Sequence, residues 1–367
     1  MINKFENLKE IPMGIPEKAE TIIVEGRLPA VEVKNEVVWQ NKDVKMPFSL
    51  EEGKSTKLGV FLTSEPKHSG VDMRVKVMDH HFRSALLGRV IFQDNKGRMY
   101  RDVDIKGIGP IHMTWLNVRK LEPQSARHLK RGQTPYGFTD WKFAETDREM
   151  SEFFLEKGLR TSRVLAVVRL NEIIDEDGDK ISINKAKERG YIKTTTEPVL
   201  EVRAFGTKAR ITDANETALT DAKKMIAQEF GRPELEKDNS EYLNWFSETL
   251  AKQLAIIHNN GYWHGYLTEH NITLDCRIVD FDSVEKLPPD KSKLQKNIVT
   301  DLYDAANSFI SLISNLEYVD EDVKGALFSS FIRNYFENCD EKIGNNKIEL
   351  IELFYKYIEE MEQKYDH

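Results

Sequence analysis

Apolar residues in the first part of the chain fall in short blocks with strand character. G-V-F-L-T, D-M-R-V-K-V-M, A-L-L-G-R-V-I-F and R-D-V-D-I-K, all within residues 46–110, read as strands. Asp94-Asn95-Lys96-Gly97 separates the last two and has the composition of a hairpin turn. Residues 111–145 carry Pro, Gly and basic residues and read as an irregular loop. Met150, Phe153, Phe154 and Lys157 follow helical spacing, which predicts a helix from near Phe143 to near Gly158, with the glycine as its stop. R-V-L-A-V-V-R-L (163–170) and P-V-L-E-V-R-A-F (198–205) are buried-strand candidates. The polar stretch between them contains the turn D-E-D-G-D and reads as a hairpin insertion.

From about residue 213 the period changes to that of helices. Leu243, Phe246, Leu250, Leu254 and Ile257 make one apolar stripe, closed by Asn259-Asn260-Gly261. Ala305, Ala306, Phe309, Ile310 and Ile313 mark another, and Ile348, Ile351, Phe354, Ile358 and Met361 a last one. Strands with one helix, then helices around a short hairpin, predict an α+β, two-lobed protein-kinase-like fold. The boundaries expected are an N-terminal extension over 1–45 packed on the first lobe, a strand-rich lobe over 46–205 and a helical lobe over 206–367.

Composition narrows the class. A length of 367 residues suffices for two units with cores of their own. Hydrophobic residues at 40% and charged residues at 31% are ordinary for a globular protein. The net charge of −8 argues against a large nucleic-acid surface. Two cysteines, Cys276 and Cys339, cannot form a disulfide framework and have no CxxC spacing. His80, His81 and His258 lack zinc-ligand spacing. Trp141, Trp245 and Trp263 are expected as packing anchors, since no basic stripe accompanies them. No long apolar run is present, so no membrane span or signal peptide is expected, and a cytoplasmic location follows.

The chemistry concentrates in H-G-Y-L-T-E-H-N-I-T-L-D-C-R-I-V-D-F-D-S (264–283). Asn271 and Asp280 flank a short hairpin, and both carry the hard oxygens that Mg²⁺ prefers. Tyr266 stands two residues after His264, where a protein kinase has its aspartate. His264 is expected as a structural loop histidine, and His270 could serve as a base. Lys106, at the end of R-D-V-D-I-K, is either a phosphate ligand or a solvated strand-end lysine. An acidic partner for it is sought in the helix that follows, among Asp147, Glu149 and Glu152. Arg203 and Arg210 are either a phosphate clamp or two surface arginines.

These segments together resemble the selenoprotein O family, kinase-fold proteins that transfer AMP from ATP to protein hydroxyls. The resemblance covers about residues 80–285. It rests on Arg83 with S-A-L-L-G-R-V (84–90), D-I-K-G-I-G-P (104–110), Q-T-P-Y (133–136), S-E-F-F-L-E-K-G-L-R-T-S-R-V-L-A-V-V (151–168), V-L-E-V-R-A-F-G-T-K-A-R (199–210) and H-G-Y-L-T-E-H-N with V-D-F-D. It implies that Arg83, Lys106, Arg203 and Arg210 contact the nucleotide and that Asn271 and Asp280 hold Mg²⁺, with Mn²⁺ as a substitute. It also implies a nucleotide bound with its α-phosphate toward the acceptor, and pyrophosphate as the product. Where the family has a helix glutamate this chain has Asp147, with Glu149 an alternative. Its proposed base is replaced by His270, and Asp140 is the remnant of an acidic-glycine loop. The resemblance therefore implies adenylylation of protein substrates, the chain itself among them; charge and apolar patterning lead to the expectation of no nucleic acid or membrane partner. The alternatives are phosphoryl transfer and nucleotide binding without chemistry.

Overall fold

The computed structural model describes residues 25–44, 50–62, 74–78, 84–94, 96–109, 113–117, 122–125, 138–175, 179–316 and 321–365. The chain divides into two units. One comprises Met1–Arg148 and Arg163–Gly206, the other Glu149–Ser162 and Thr207–His367.

The first unit is built on strands. In chain order they are β1 (Glu25–Glu32), β2 (Asn35–Gln40), β3 (Val60–Leu62), β4 (Arg74–Met78), β5 (Ser84–Gln93) and β6 (Met99–Lys106). Then come β7 (Met113–Asn117), β8 (Glu122–Ser125), β9 (Thr139–Asp140), β10 (Arg163–Leu170), β11 (Glu172–Ile174), β12 (Lys180–Ser182) and β13 (Pro198–Phe205). A nine-stranded sheet has the order β2-β10-β13-β6-β5-β4-β1-β3, with β9 added on β13. Among the described residues its strand pairings are all antiparallel. The segment expected as an extension thus contributes β1 and β2 to the sheet itself. Within the stretch expected as irregular loop, β7 and β8 pair antiparallel, and Pro123 in β8 hid them.

Alternation explains how the sheet divides its faces. On β13, Leu200, Val202 and Ala204 enter a core shared with Val103 and Ile105 of β6. Val199, Glu201 and Arg203 point the other way. There Val199 packs with Val164 and Val167 of β10 and with Ala144 of α1 (Trp141–Glu156). The expected turn at residues 94–97 is capped by Asp94, whose Oδ1 accepts from the N–H groups of Lys96 and Arg98 at 2.9 and 3.0 Å. The insertion between β10 and β13 holds the β11–β12 hairpin and α2 (Ile183–Glu188).

The second unit is helical. It contains α3 (Glu216–Phe230), α4 (Glu234–Lys237), α5 (Asn239–Asn259), α6 (Lys291–Asn315), α7 (Glu321–Asn338), α8 (Glu341–Gly344) and α9 (Lys347–Tyr365). Asp238 caps α5 by accepting from the Ser240 N–H at 2.7 Å, and Leu243, Phe246, Leu250, Leu254 and Ile257 form its buried stripe. Phe154, in the part of α1 assigned to this unit, is fully buried with its ring 5.1 Å from Phe281 and 5.8 Å from Tyr262. Such ring pairs add about 0.5–1.5 kcal/mol each beyond area burial. α9 follows the expected stripe at Ile351, Phe354, Ile358 and Met361, which are buried or half-buried, and departs from it only in the first turn. Ile348 is 76% exposed, and Leu350 and Phe354 are the buried positions. Glu349 of that first turn pairs with Lys291 at 2.8 Å. No helix among the described residues is long and apolar enough to cross a membrane.

Candidate functional site

In the strand-rich unit the polar face of β6 and β13 carries four buried charges. Lys106 lies opposite Glu201 in the register and Asp104 opposite Arg203. Lys106 Nζ is 3.7 Å from Glu201 Oε2. Arg203 forks onto Asp104, with Nε 3.1 Å from Oδ1 and Nη2 2.9 Å from Oδ2. All four residues are buried. Lys106 is therefore not a solvated lysine, and Arg203 is not a surface arginine. Forked pairing fixes the guanidinium plane, and desolvation is tolerated because each charge has an opposite neighbour.

The helix α1 supplies a further carboxylate. Asp147 is fully buried, one turn beyond Ala144, on the face that packs against Val199. Glu149 is exposed, so the helix face selects Asp147 of the two. Glu201 was outside the sequence expectation, which sought Lys106's partner on the helix alone. Its signal was the alternation in V-L-E-V-R, with two charges on one side of a strand that is otherwise core.

Asp140 holds local structure. Its Oδ1 accepts from the Lys142 N–H at 3.1 Å at the start of α1, and its Oδ2 from the Glu197 N–H at 3.2 Å. It caps the helix and ties it to the approach to β13. Gly107 is required beside it. Its φ is +100°, and a Cβ there would lie 2.8 Å from the Val199 carbonyl oxygen. Arg83, with His80, His81, Phe82 and Q-T-P-Y (133–136), lies outside the described residues.

The helical unit holds the loop and hairpin of residues 264–283. Val279 N–H bonds Asn271 O at 3.0 Å and Thr273 N–H bonds Arg277 O at 3.0 Å, which closes the hairpin between Asn271 and Asp280. Cys276 at the tip adopts φ 55°. Buried charges hold that tip. Arg277 Nε bonds Asp275 Oδ2 at 2.6 Å, Arg160 pairs with Glu229 at 2.8 Å, and Arg277 Nη1 donates to Thr161 O at 3.0 Å. Burial works against the Asp275 charge, but Arg277 and Arg160 beside it hold the carboxyl below its ordinary range.

Asn271 Oδ1 and Asp280 Oδ2 converge. Arg210 Nη1 donates to them at 3.1 and 3.3 Å, and also to the His270 carbonyl. Asn271 Nδ2 donates to Tyr266 O at 2.9 Å, which leaves its oxygen turned to the cation. Asp280 sits in the left-handed region, φ 63° and ψ 56°, a conformation that aspartate tolerates better than most residues. The His270 side chain is exposed, whereas Tyr266 is 63% exposed.

The loop is anchored from beneath. Asp301 of α6 accepts the His264 N–H at 2.6 Å and the Gly265 N–H at 2.8 Å, and His258 Nε2 lies 3.3 Å away. His264 donates from Nε2 to Val279 O at 3.0 Å and rests edge-on against Phe281. Burial pushes its pKa down, so it is a neutral structural residue. Asp301 was also missed by sequence reasoning. Its signal was an acid in line with Ala305, Ser308 and Leu312 on the buried face of α6.

Two converging hard oxygens suit a divalent ion whose remaining ligands are phosphate and water. The guanidinium at that point is a positive charge in the same place, which shows that the loop geometry accepts a cation. No cluster of three or more His, Cys, Asp or Glu side chains that could hold a metal occurs among the described residues.

No family model matches the chain, and no curated protein matches it. Among solved structures it is similar to a Toxoplasma gondii specific rhoptry antigen kinase domain at 10% identity and a TM-score of 0.32, over 73% of this chain and 77% of that one.

Proposed function

We propose that the chain is an ATP- and Mg²⁺-dependent transferase of kinase-like build that moves AMP from ATP to protein hydroxyls. The observation that carries this reading is the convergence of Asn271 Oδ1 and Asp280 Oδ2 on one cation, at 3.1 and 3.3 Å from Arg210 Nη1. The resemblance to selenoprotein O, which spans both residues at matching spacing, supports AMP rather than phosphoryl transfer. Tyr266 in place of a protein-kinase aspartate points the same way.

Asn271 and Asp280 would hold the ion, whose chemistry is to neutralise charge on phosphate oxygens. Lys106, Arg203 and Arg210 are the cationic side chains assigned to the nucleotide. Asp104 orients Arg203 before a ligand arrives, and Glu201 is the counter-charge 3.7 Å from Lys106. The acceptor oxygen bonds to the α-phosphorus, the bond to the bridging oxygen breaks, and pyrophosphate leaves. His270, exposed beside Asn271, is suited to take the acceptor proton near neutral pH.

One observation favours a second reading, nucleotide binding without chemistry. Arg203 is committed to Asp104 and Arg210 to Asp280. The two readings separate on incubation with Mg²⁺ and ATP labelled at either the α or the γ position, followed by intact mass, with Asp280→Ala as control. Gain of AMP mass and α-label in the wild type alone supports adenylylation. A γ-label converts the reading to a kinase. Nucleotide-dependent stabilisation without any label supports the second reading.

A further inference from the structure

The strand-rich unit contains a concave site lined by residues that the proposed chemistry does not use. It lies where β10 ends and β13 begins, beside α2, and has a volume of about 470 Å³. That is within the range of small-molecule sites, about 300–1,000 Å³, and more than a lone inorganic ion requires. Leu170, Ile183 and Pro198 give it an apolar portion. The insertion is tied to the sheet at this point, since the Ile183 N–H donates to Asn171 O at 3.3 Å.

Two cations line the cavity, Arg169 from β10 and Lys187 from α2, against one carboxylate, Glu197. Neither cation has a carboxylate within ion-pair distance among the described residues. This differs from the face of β6 and β13, where Arg203 is bound to Asp104 and Lys106 to Glu201. It also differs from the chain as a whole, whose net charge is −8. Thr196, 3% exposed, and Asn184 add polar groups at the same cavity.

We propose that this cavity binds a small phosphate monoester. Arg169 and Lys187 take the dianion, the guanidinium by a fork and the ammonium as a point charge. The organic part lies over Leu170, Ile183 and Pro198, and Asn184 and Glu197 serve its hydroxyl groups. The two positive charges select the phosphate, and the cavity's volume and apolar portion select an ester over the free ion.

The test is calorimetric titration of the full chain with ribose 5-phosphate, ribose and inorganic phosphate. Ribose 5-phosphate is expected to bind saturably and more tightly than either control. Arg169→Gln and Lys187→Gln should each weaken it about tenfold or more, the cost of one charge-assisted hydrogen bond. Asp280→Ala should leave it unchanged. No binding, undiminished binding in the double variant, or phosphate binding as tight as that of the ester would overturn the proposal. Loss of binding in Asp280→Ala would do so too, by assigning the ligand to the Asn271–Asp280 loop. If the double variant melts early, Lys187→Ala alone repeats the test, because Lys187 lies on the surface helix α2.

Discussion

Arg210 Nη1 stands 3.3 Å from Asp280 Oδ2, at the point to which Asn271 Oδ1 also turns. A guanidinium thus holds the position proposed for a divalent ion, and the two cations exclude one another there. Under the proposed function, metal affinity in the absence of nucleotide would be set by this competition. Arg210→Gln is expected to raise Mn²⁺ affinity several-fold, read from the paramagnetic resonance of free Mn²⁺. Asp280→Ala should abolish the same binding. Unchanged Mn²⁺ affinity in Arg210→Gln would show that the two cations do not share the site.

Asp301 is the acceptor on which the start of the loop rests. Asp301→Ala leaves the buried N–H of His264 and the part-buried N–H of Gly265 without it, at a cost of about 1–3 kcal/mol for the buried group and less for the other. Urea denaturation should show a lower midpoint with an unchanged slope. Amide exchange at His264 and Gly265 should accelerate more than exchange in α5. Uniform acceleration across the helical unit would mean that Asp301 acts on global stability alone.

Asp147 and Glu149 are two residues apart and have opposite surroundings, one fully buried and the other exposed. Asp147→Asn is expected to lower AMP transfer about tenfold or more, the scale of one buried charged interaction. Glu149→Gln should leave both transfer and Tm near wild type, as a surface substitution does. Equal losses in the two variants would remove Asp147 as the helix's acidic partner of Lys106.

Asp304 gives a signature in pH. Burial, with Asp301 one turn away, pushes its carboxyl up to about 6. The folded state therefore retains a proton that the unfolded chain has released, and stability falls as pH rises from about 4 to about 6. Asp304→Asn should flatten that slope and raise Tm at pH 7. A variant whose Tm follows the wild type across this interval would place the slope elsewhere.

Much of this architecture was legible from periodicity. The stripe on α5 and the strands at 163–170 and 198–205 follow directly from where apolar residues recur. β7 and β8 were hidden because Pro123 breaks the pattern, and the start of the α9 stripe was misplaced because Ile348 is apolar yet exposed. In the candidate site, Asn271 and Asp280 stood out by spacing alone. Glu201 and Asp301 did not, since each is an acid whose meaning depends on which residue lies opposite it in the fold. The contacts of Asp140 were hidden for the same reason. Its carboxylate serves a helix start and the chain near β13, a relation between residues 57 positions apart.

The charges at the hairpin tip have a bearing on ionic strength. Exposed pairs such as Lys34 with Glu172, whose lysine is 79% exposed, are screened over about 8 Å at physiological salt. The Arg277–Asp275 pair is dry on both sides and is screened far less. Its attraction fixes the strand register between Asn271 and Asp280, because a slip of one residue would strand both charges in the interior. The separation of those two side chains is thereby made indifferent to the ionic composition of the surroundings, while the occupancy of the point between them is not.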